Sequence, residues 1–182
     1  MKKYISLIMM CLIIGATASA QWPSNVTVIN MDEKDSVIVQ GDLAKGSLME
    51  DLSWAWSSSN ACFPATQGNK FKGNHVFFAM TMPKRCEMFI SVTPTDANAD
   101  LSIYAYRIGS ADYNLVPDLV SCITCEADHK WDGNWKNRVQ TSERKVSFQN
   151  PGTENYNILI GVSAPKGVTA GQFNLKIKLI TK

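Results

Sequence analysis

Only two histidines, His75 and His129, occur in this 182-residue chain, and no G-x-S-x-G or H-E-x-x-H pattern is present. A Ser-His-Asp or Cys-His centre would have to recruit one of the two, so the sequence offers no positive case for an enzyme. Beyond residue 20 no apolar run approaches the ~20 residues that a membrane-spanning helix requires, which excludes a helical span. No segment after residue 20 sustains the 3.6-residue period over ten or more positions, which excludes long helices. There is no internal repeat and no low-complexity tract. Charge of one sign is also missing. Eighteen basic residues face 16 acidic ones, and removing Lys2 and Lys3 with the N-terminal segment leaves 16 against 16. Without a basic excess, neither nucleic acid nor an anionic membrane is an expected partner.

Residues 1–20 carry Lys2 and Lys3, an apolar run over 4–15 and then Ala18-Ser19-Ala20, the pattern of a secretory signal peptide cleaved near Ala20. Cys11 follows Met9-Met10 rather than a small residue, which argues against a lipid anchor. The chain is therefore expected to be secreted, to the periplasm, cell surface or medium, and to begin at Gln21. Residues 21–35 read as a leader or first edge strand, and 36–182 as one domain of ordinary size.

Cys62, Cys86, Cys122 and Cys125 form an even set in an exported chain, which predicts two disulfides. In an extended strand Cys122 and Cys125 point to opposite faces, so each is expected to join Cys62 or Cys86. A redox role for Cys122-Ile123-Thr124-Cys125 would need a helix N-terminus to stabilise the thiolate, and the flanks are β-prone. A zinc site is disfavoured because two of the four cysteines are isolated and export favours oxidation.

Apolar residues recur at every second position in many short runs, as a strand with one buried face requires. Strands are predicted over 36–40, 52–56, 76–82, 86–92, 101–106, 119–125, 145–148, 158–162 and 173–179, and 26–29 is a short β-prone piece of the leader or edge strand. In 52–56, Leu52, Trp54 and Trp56 share a core face. Pro83-Lys84-Arg85 is short enough for a hairpin turn, and Pro165-Lys166-Gly167 to Ala170-Gly171 can turn the closing pair. In the last strand Asn174, Lys176 and Lys178 take the wet face. Residues 127–144 read as a polar surface excursion. Eight or nine core strands at this spacing predict an all-β fold, an antiparallel β-sandwich of jelly-roll type braced by disulfides.

The pieces Ala97-Asn98-Ala99-Asp100-Leu101-Ser102-Ile103-Tyr104-Ala105-Tyr106, Tyr156-Asn157-Ile158-Leu159-Ile160-Gly161-Val162 and Ala170-Gly171-Gln172-Phe173-Asn174-Leu175-Lys176-Ile177 resemble the bacterial pre-peptidase C-terminal domain family. The resemblance runs over about residues 71–180. It implies a small exported β-sandwich whose last two strands form a closing hairpin. In members that bind calcium, acidic side chains near strand ends hold the ion, which here points to Asp100. The chain departs from the family in its four cysteines, its Trp-rich loop and the lack of an attached peptidase.

Two groups of residues carry candidate binding chemistry. Asp96, Asn98 and Asp100 offer hard oxygen ligands at alternate positions, with Asp128, Asp132 and Asn134 as a second group. Calcium takes about 6 to 8 such oxygens, and Asx turns are the plain alternative. No other cofactor is expected. Trp131 and Trp135 flank Asp132-Gly133-Asn134, so the two indoles and Asn134 could stack on sugar rings or fill a partner's pocket; folding back onto the core is the alternative. The expected function is a non-catalytic module that binds an extracellular polysaccharide or protein through its loops. The alternative is a structural subunit that assembles through an edge strand or through residues 21–35. A small secreted enzyme would need His75 or His129 in a cleft beside an acid or hydroxyl, and His75, next to Asn74, is expected at the surface.

Overall fold

Strict alternation makes one face of each strand apolar, and two sheets bury those faces against each other. The computed structural model describes residues 21–31, 35–49, 51–53, 65–119, 124–126 and 141–181. Strands β1 (Val26–Val28), β3 (Ser47–Leu48), β4 (Asn74–Met82), β6 (Ser102–Gly109), β7 (Thr124–Glu126) and β9 (Tyr156–Ser163) form a six-stranded sheet in the order β1-β4-β9-β6-β7, with β3 pairing to β4. Strands β2 (Ser36–Asp42), β10 (Gln172–Thr181), β5 (Cys86–Pro94) and β8 (Arg144–Asn150) form the second sheet in that order. Counting the eight principal strands from β2 along the chain, the orders are 1-8-3-6 and 2-7-4-5, the interlocked Greek keys of a jelly roll. The all-β sandwich is thus observed. One pairing departs from the antiparallel expectation, since β1 runs parallel to β4, with Val26 opposite Phe77.

Alternation does not reveal which strands pair. The 83–85 turn, with Arg85 at φ 51°, is not a hairpin turn. It carries the chain from β4, which pairs with β9, across to β5, which pairs with β10. The predicted closing hairpin is likewise absent, because β9 and β10 lie in opposite sheets. Strands facing one another across a core show the same period-2 pattern as strands lying side by side. Leu52 is buried without belonging to a strand, and 54–64 lie outside the described residues. Around the predicted 119–125 strand, Leu119 is buried outside any strand and β7 begins at Thr124.

Between the sheets, Phe78, Met80 and Met82 of β4, Met88 and Ile90 of β5, Phe148 of β8, Ile160 of β9, and Phe173 and Leu175 of β10 make one dry core. Cys86 opens the inward row of β5 and is a free, buried thiol whose Sγ donates to the Pro83 carbonyl at 3.0 Å. This corrects the two-disulfide scheme at that residue: Cys86 occupies a core position beside Met88 and bridges to nothing. Burial pushes its thiol pKa up. Cys62 and Cys122 lie outside the described residues, and the backbone of Cys125 pairs opposite Tyr104.

A second core covers the outer face of the six-stranded sheet. Phe77, Tyr104, Tyr106 and Leu159 project from the sheet and meet Val26, Leu52, Phe71, Val116 and Leu119 from the segments laid over it. His75 belongs here, not at the surface; it is 1% exposed. Only an N–H can bind a carbonyl, so Nε2 donates to the Phe71 oxygen at 2.6 Å, and Nδ1 accepts from the Tyr104 hydroxyl at 2.7 Å. The Tyr104 ring lies over its cross-strand partner Gly161, where an added Cβ would come within 2.1 Å of Cζ.

Gly161→Ala should cost about 1–3 kcal/mol by forcing the Tyr104 ring off the sheet, read as a lower urea midpoint. Burial pushes the pKa of His75 from 6.5 down to about 4, against a smaller upward effect of the bond to Phe71. The unfolded chain then takes up a proton near pH 6.5 that the folded chain refuses until about pH 4. Stability from this group is complete above pH 6.5 and falls by about 3 kcal/mol as pH drops to 4. Urea titrations at pH 7.5 and 4 should show His75→Gln losing that much less than the wild type; equal losses would refute the assignment.

Candidate functional site

The four-stranded sheet places one row of side chains inward at every second residue and the intervening row outward. In β10, Phe173, Leu175 and Ile177 go inward while Asn174, Lys176 and Lys178 go outward. The pairing register sets these beside outward residues of the neighbouring strands. Ile38, Lys176, Ser91 and Lys145 form one cross-strand row, and Ser36, Lys178, Phe89 and Ser147 the next. Phe89 is 44% exposed and Ile38 63%. No described segment is laid over this face in the way the six-stranded sheet is covered. A hollow of about 410 Å³ opens there, with Phe89 and Ser91 among lysines 145, 176 and 178 and Glu143 at its rim.

The rim is held from inside. Arg144 is 2% exposed and points toward the core from the start of β8. Its Nη1 donates to the carbonyls of Thr141 at 2.6 Å and Glu143 at 2.8 Å, and its Nη2 lies 4.0 Å from Asp100 Oδ1. Fixing Arg144 inward turns its neighbours Glu143 and Lys145 toward the hollow, where their charges meet at 2.8 Å. Partial burial pushes the Glu143 carboxyl up, but hydrogen bonds from Lys145 and Ser91 and the charges of Lys145 and Lys176 outweigh it, holding the group below its ordinary value. A ring, hydroxyls and cations around one hollow suit binding.

At one end of the sandwich a second cleft, of about 460 Å³, lies between the β5–β6 and β9–β10 connections. Pro94, Leu101 and Val168 give it an apolar lining, and Asn98, Asp100 and Lys166 its polar groups. Asn74 ties this end together: its amide donates to the carbonyls of Leu43 and Thr169 at 3.0 Å each, and to Gly46 at 3.4 Å. The calcium candidates fall on this loop with separate tasks. Asp96 accepts from the Asn98 amide at 2.8 Å in an Asx turn, Asn98 and Asp100 line the cleft, and Asp100 also faces Arg144. Among the described residues, no three His, Cys, Asp or Glu side chains gather as a metal set.

His75 has a hydroxyl within reach at Tyr104, but both are sealed in the second core and present no base to a substrate. Trp131, Trp135 and Asn134 lie outside the described residues, as do Asp128, His129 and Asp132. Sequence reasoning put Lys176 and Lys178 on a wet face without grouping them. Phe89, Lys145 and Glu143 join them only through the register of three strands.

No helix among the described residues is long and apolar enough to cross a membrane. No protein-family model matches the chain, and no curated protein does. Solved structures similar to it include a periplasmic inhibitor of g-type lysozyme from Aeromonas hydrophila, at 6% identity over 86% of this chain and 96% of that one, with a TM-score of 0.48. A surface-associated copper-binding protein of Methylomicrobium album BG8 is similar at 11% identity over 86% and 98%, with a TM-score of 0.47. The pre-peptidase C-terminal domain of a collagenase from Bacillus anthracis is similar at 10% identity over 87% of this chain and all of that one, with a TM-score of 0.46. The domain family that the sequence resembles is therefore represented among its structural neighbours, and at these scores no ligand or activity passes from them to this chain.

Proposed function

We propose that the chain is an exported, non-catalytic binding module that receives an extracellular partner, a polysaccharide or a protein, on the open outer face of its four-stranded sheet. The signal-peptide pattern of residues 1–20 supports export. The observation that carries the site is the contrast between the two sheets. Among the described residues, the six-stranded sheet is covered on both faces, whereas the outer face of β2-β10-β5-β8 leaves Ile38, Phe89 and Ile180 exposed. Exposed apolar groups clustered among charges and hydroxyls are a common form of binding surface. Trp131, Trp135 and Asn134, which the sequence offers as a binding group, remain candidates for an additional contact.

The test is binding of the mature protein to a panel of insoluble polysaccharides and matrix proteins, with Phe89→Ala beside a Trp131→Ala, Trp135→Ala double variant. Phe89→Ala should weaken binding about tenfold, or ~1.4 kcal/mol, while leaving the urea midpoint within about 0.5 kcal/mol of wild type. Loss of binding in the tryptophan variant alone would move the site to the loops.

A further inference from the structure

We infer that the partner received by this face is a carboxylate-bearing polysaccharide, a polymer of the uronic-acid type; the inference rests on the face being the binding surface. The face already holds one carboxylate. Glu143 lies between Lys145 at 2.8 Å, the Ser91 hydroxyl and the charge of Lys176. Its side chain is 34% exposed and sits at the edge of the hollow, so it can leave without disturbing the core. It marks the place that an incoming carboxylate takes. Lys176 and Lys178 form no ion pair among the described residues, and both point into the hollow. They are cations available for further anions. Lys176 and Lys145 occupy one cross-strand row with Ser91 between them, two strand spacings or ~9.6 Å apart. Lys178 and Phe89 fill the next row. A chain that repeats its charge can therefore engage more than one lysine while a sugar ring rests on Phe89 and its hydroxyls meet Ser91 and Ser147.

An acidic protein is the weaker fit. Protein interfaces are depleted of Lys and Ser and enriched in Arg, Tyr and Trp at their centres. Among the described residues the lining has three lysines and two serines around one phenylalanine, and no Arg, Tyr or Trp. The chain outside residues 1–20 is neutral overall, so the lysines act locally and steer a ligand only at short range.

The deciding substitution is Glu143→Gln, which removes the internal carboxylate and keeps its shape. Polygalacturonate, its fully methyl-esterified form, a sulfated polysaccharide and a poly-glutamate peptide are titrated against wild type, Glu143→Gln, Lys176→Gln/Lys178→Gln and Phe89→Ala, at low and high salt. Polygalacturonate should bind wild type and lose affinity in salt. Glu143→Gln should bind it about threefold more tightly, and the double lysine variant at least about tenfold more weakly. Equal binding of the esterified polymer, preference for the sulfated polymer or poly-glutamate, or no gain with Glu143→Gln would each overturn the inference. In those cases the face itself still stands if Phe89→Ala abolishes whatever binds. Binding that Phe89→Ala leaves intact, or no binding of any probe or of the panel above, would overturn the face as well. Urea midpoints for each variant confirm that the fold is kept.

Discussion

Because β6, apart from Arg107 near its end, and β9 carry apolar or neutral side chains on both faces, the six-stranded sheet has to be kept dry twice over, and the rest of the molecule is arranged around that demand. The inner face is met by the four-stranded sheet. The outer face bears Phe77, Tyr104, Tyr106 and Leu159, and irregular segments must cover it. Residues around Trp22 and Val26, Leu52, Phe71 and 115–119 do so, and β1 locks one of those segments to the edge by pairing with β4. The neutral His75 follows from the same demand, since a tyrosine hydroxyl and a carbonyl brought into that layer must find partners inside it. Chain committed to that cover is not available to the other sheet, whose outer face no described segment covers.

Buried polar side chains do the joining where sheets give way to loops. Asn74 spans two connections at one end of the sandwich, and Asn150, near the 83–85 turn, donates to the carbonyls of Pro83 and Glu154. Arg144 anchors the start of β8. In each case a side chain buried among carbonyls replaces the hydrogen bonds that a strand would supply, and the loop it holds becomes a fixed surface feature. The cleft beside Asn98 and Lys166 and the hollow beside Glu143 are both bounded by loops held in this way.

Which residues form strands, and which of their side chains turn inward, was largely legible in the sequence. Val76 to Met82, Met88 to Val92 and Phe173 to Ile177 alternate as read. Partners were not legible, because the period of a strand is the same whether its neighbour lies beside it or across the core. The turns at 83–85 and 165–171 therefore looked like hairpins and are crossings. Tyr104 and Tyr106 fall within the predicted 101–106 strand, and only the cover supplied by distant segments buries them. Cys86 was read by its chemistry in an oxidising compartment, while its position in the inward row of β5 makes it a core residue. The open face was half visible: Lys176 and Lys178 were placed in water correctly. Phe89 went unremarked because it occupies an outward position in a strand whose inward residues carried the reading.

Four consecutive residues show how closely the open face depends on the core. Along Glu143, Arg144, Lys145 and Val146, the second and fourth side chains go inward, and the first and third are left at the hollow with opposite charges. Sliding this strand by one residue would bury the ion pair and expose the arginine, so packing of Val146 and Phe148 fixes the electrostatics of the surface. A glutamate held by the same lysines that would receive a ligand sets a threshold: a neutral chain gains nothing by displacing it, while an anion recovers what the glutamate gives up and, if it repeats its charge, adds contacts at Lys176 and Lys178. Under that arrangement selectivity comes from the self-held carboxylate and affinity from the lysines beyond it.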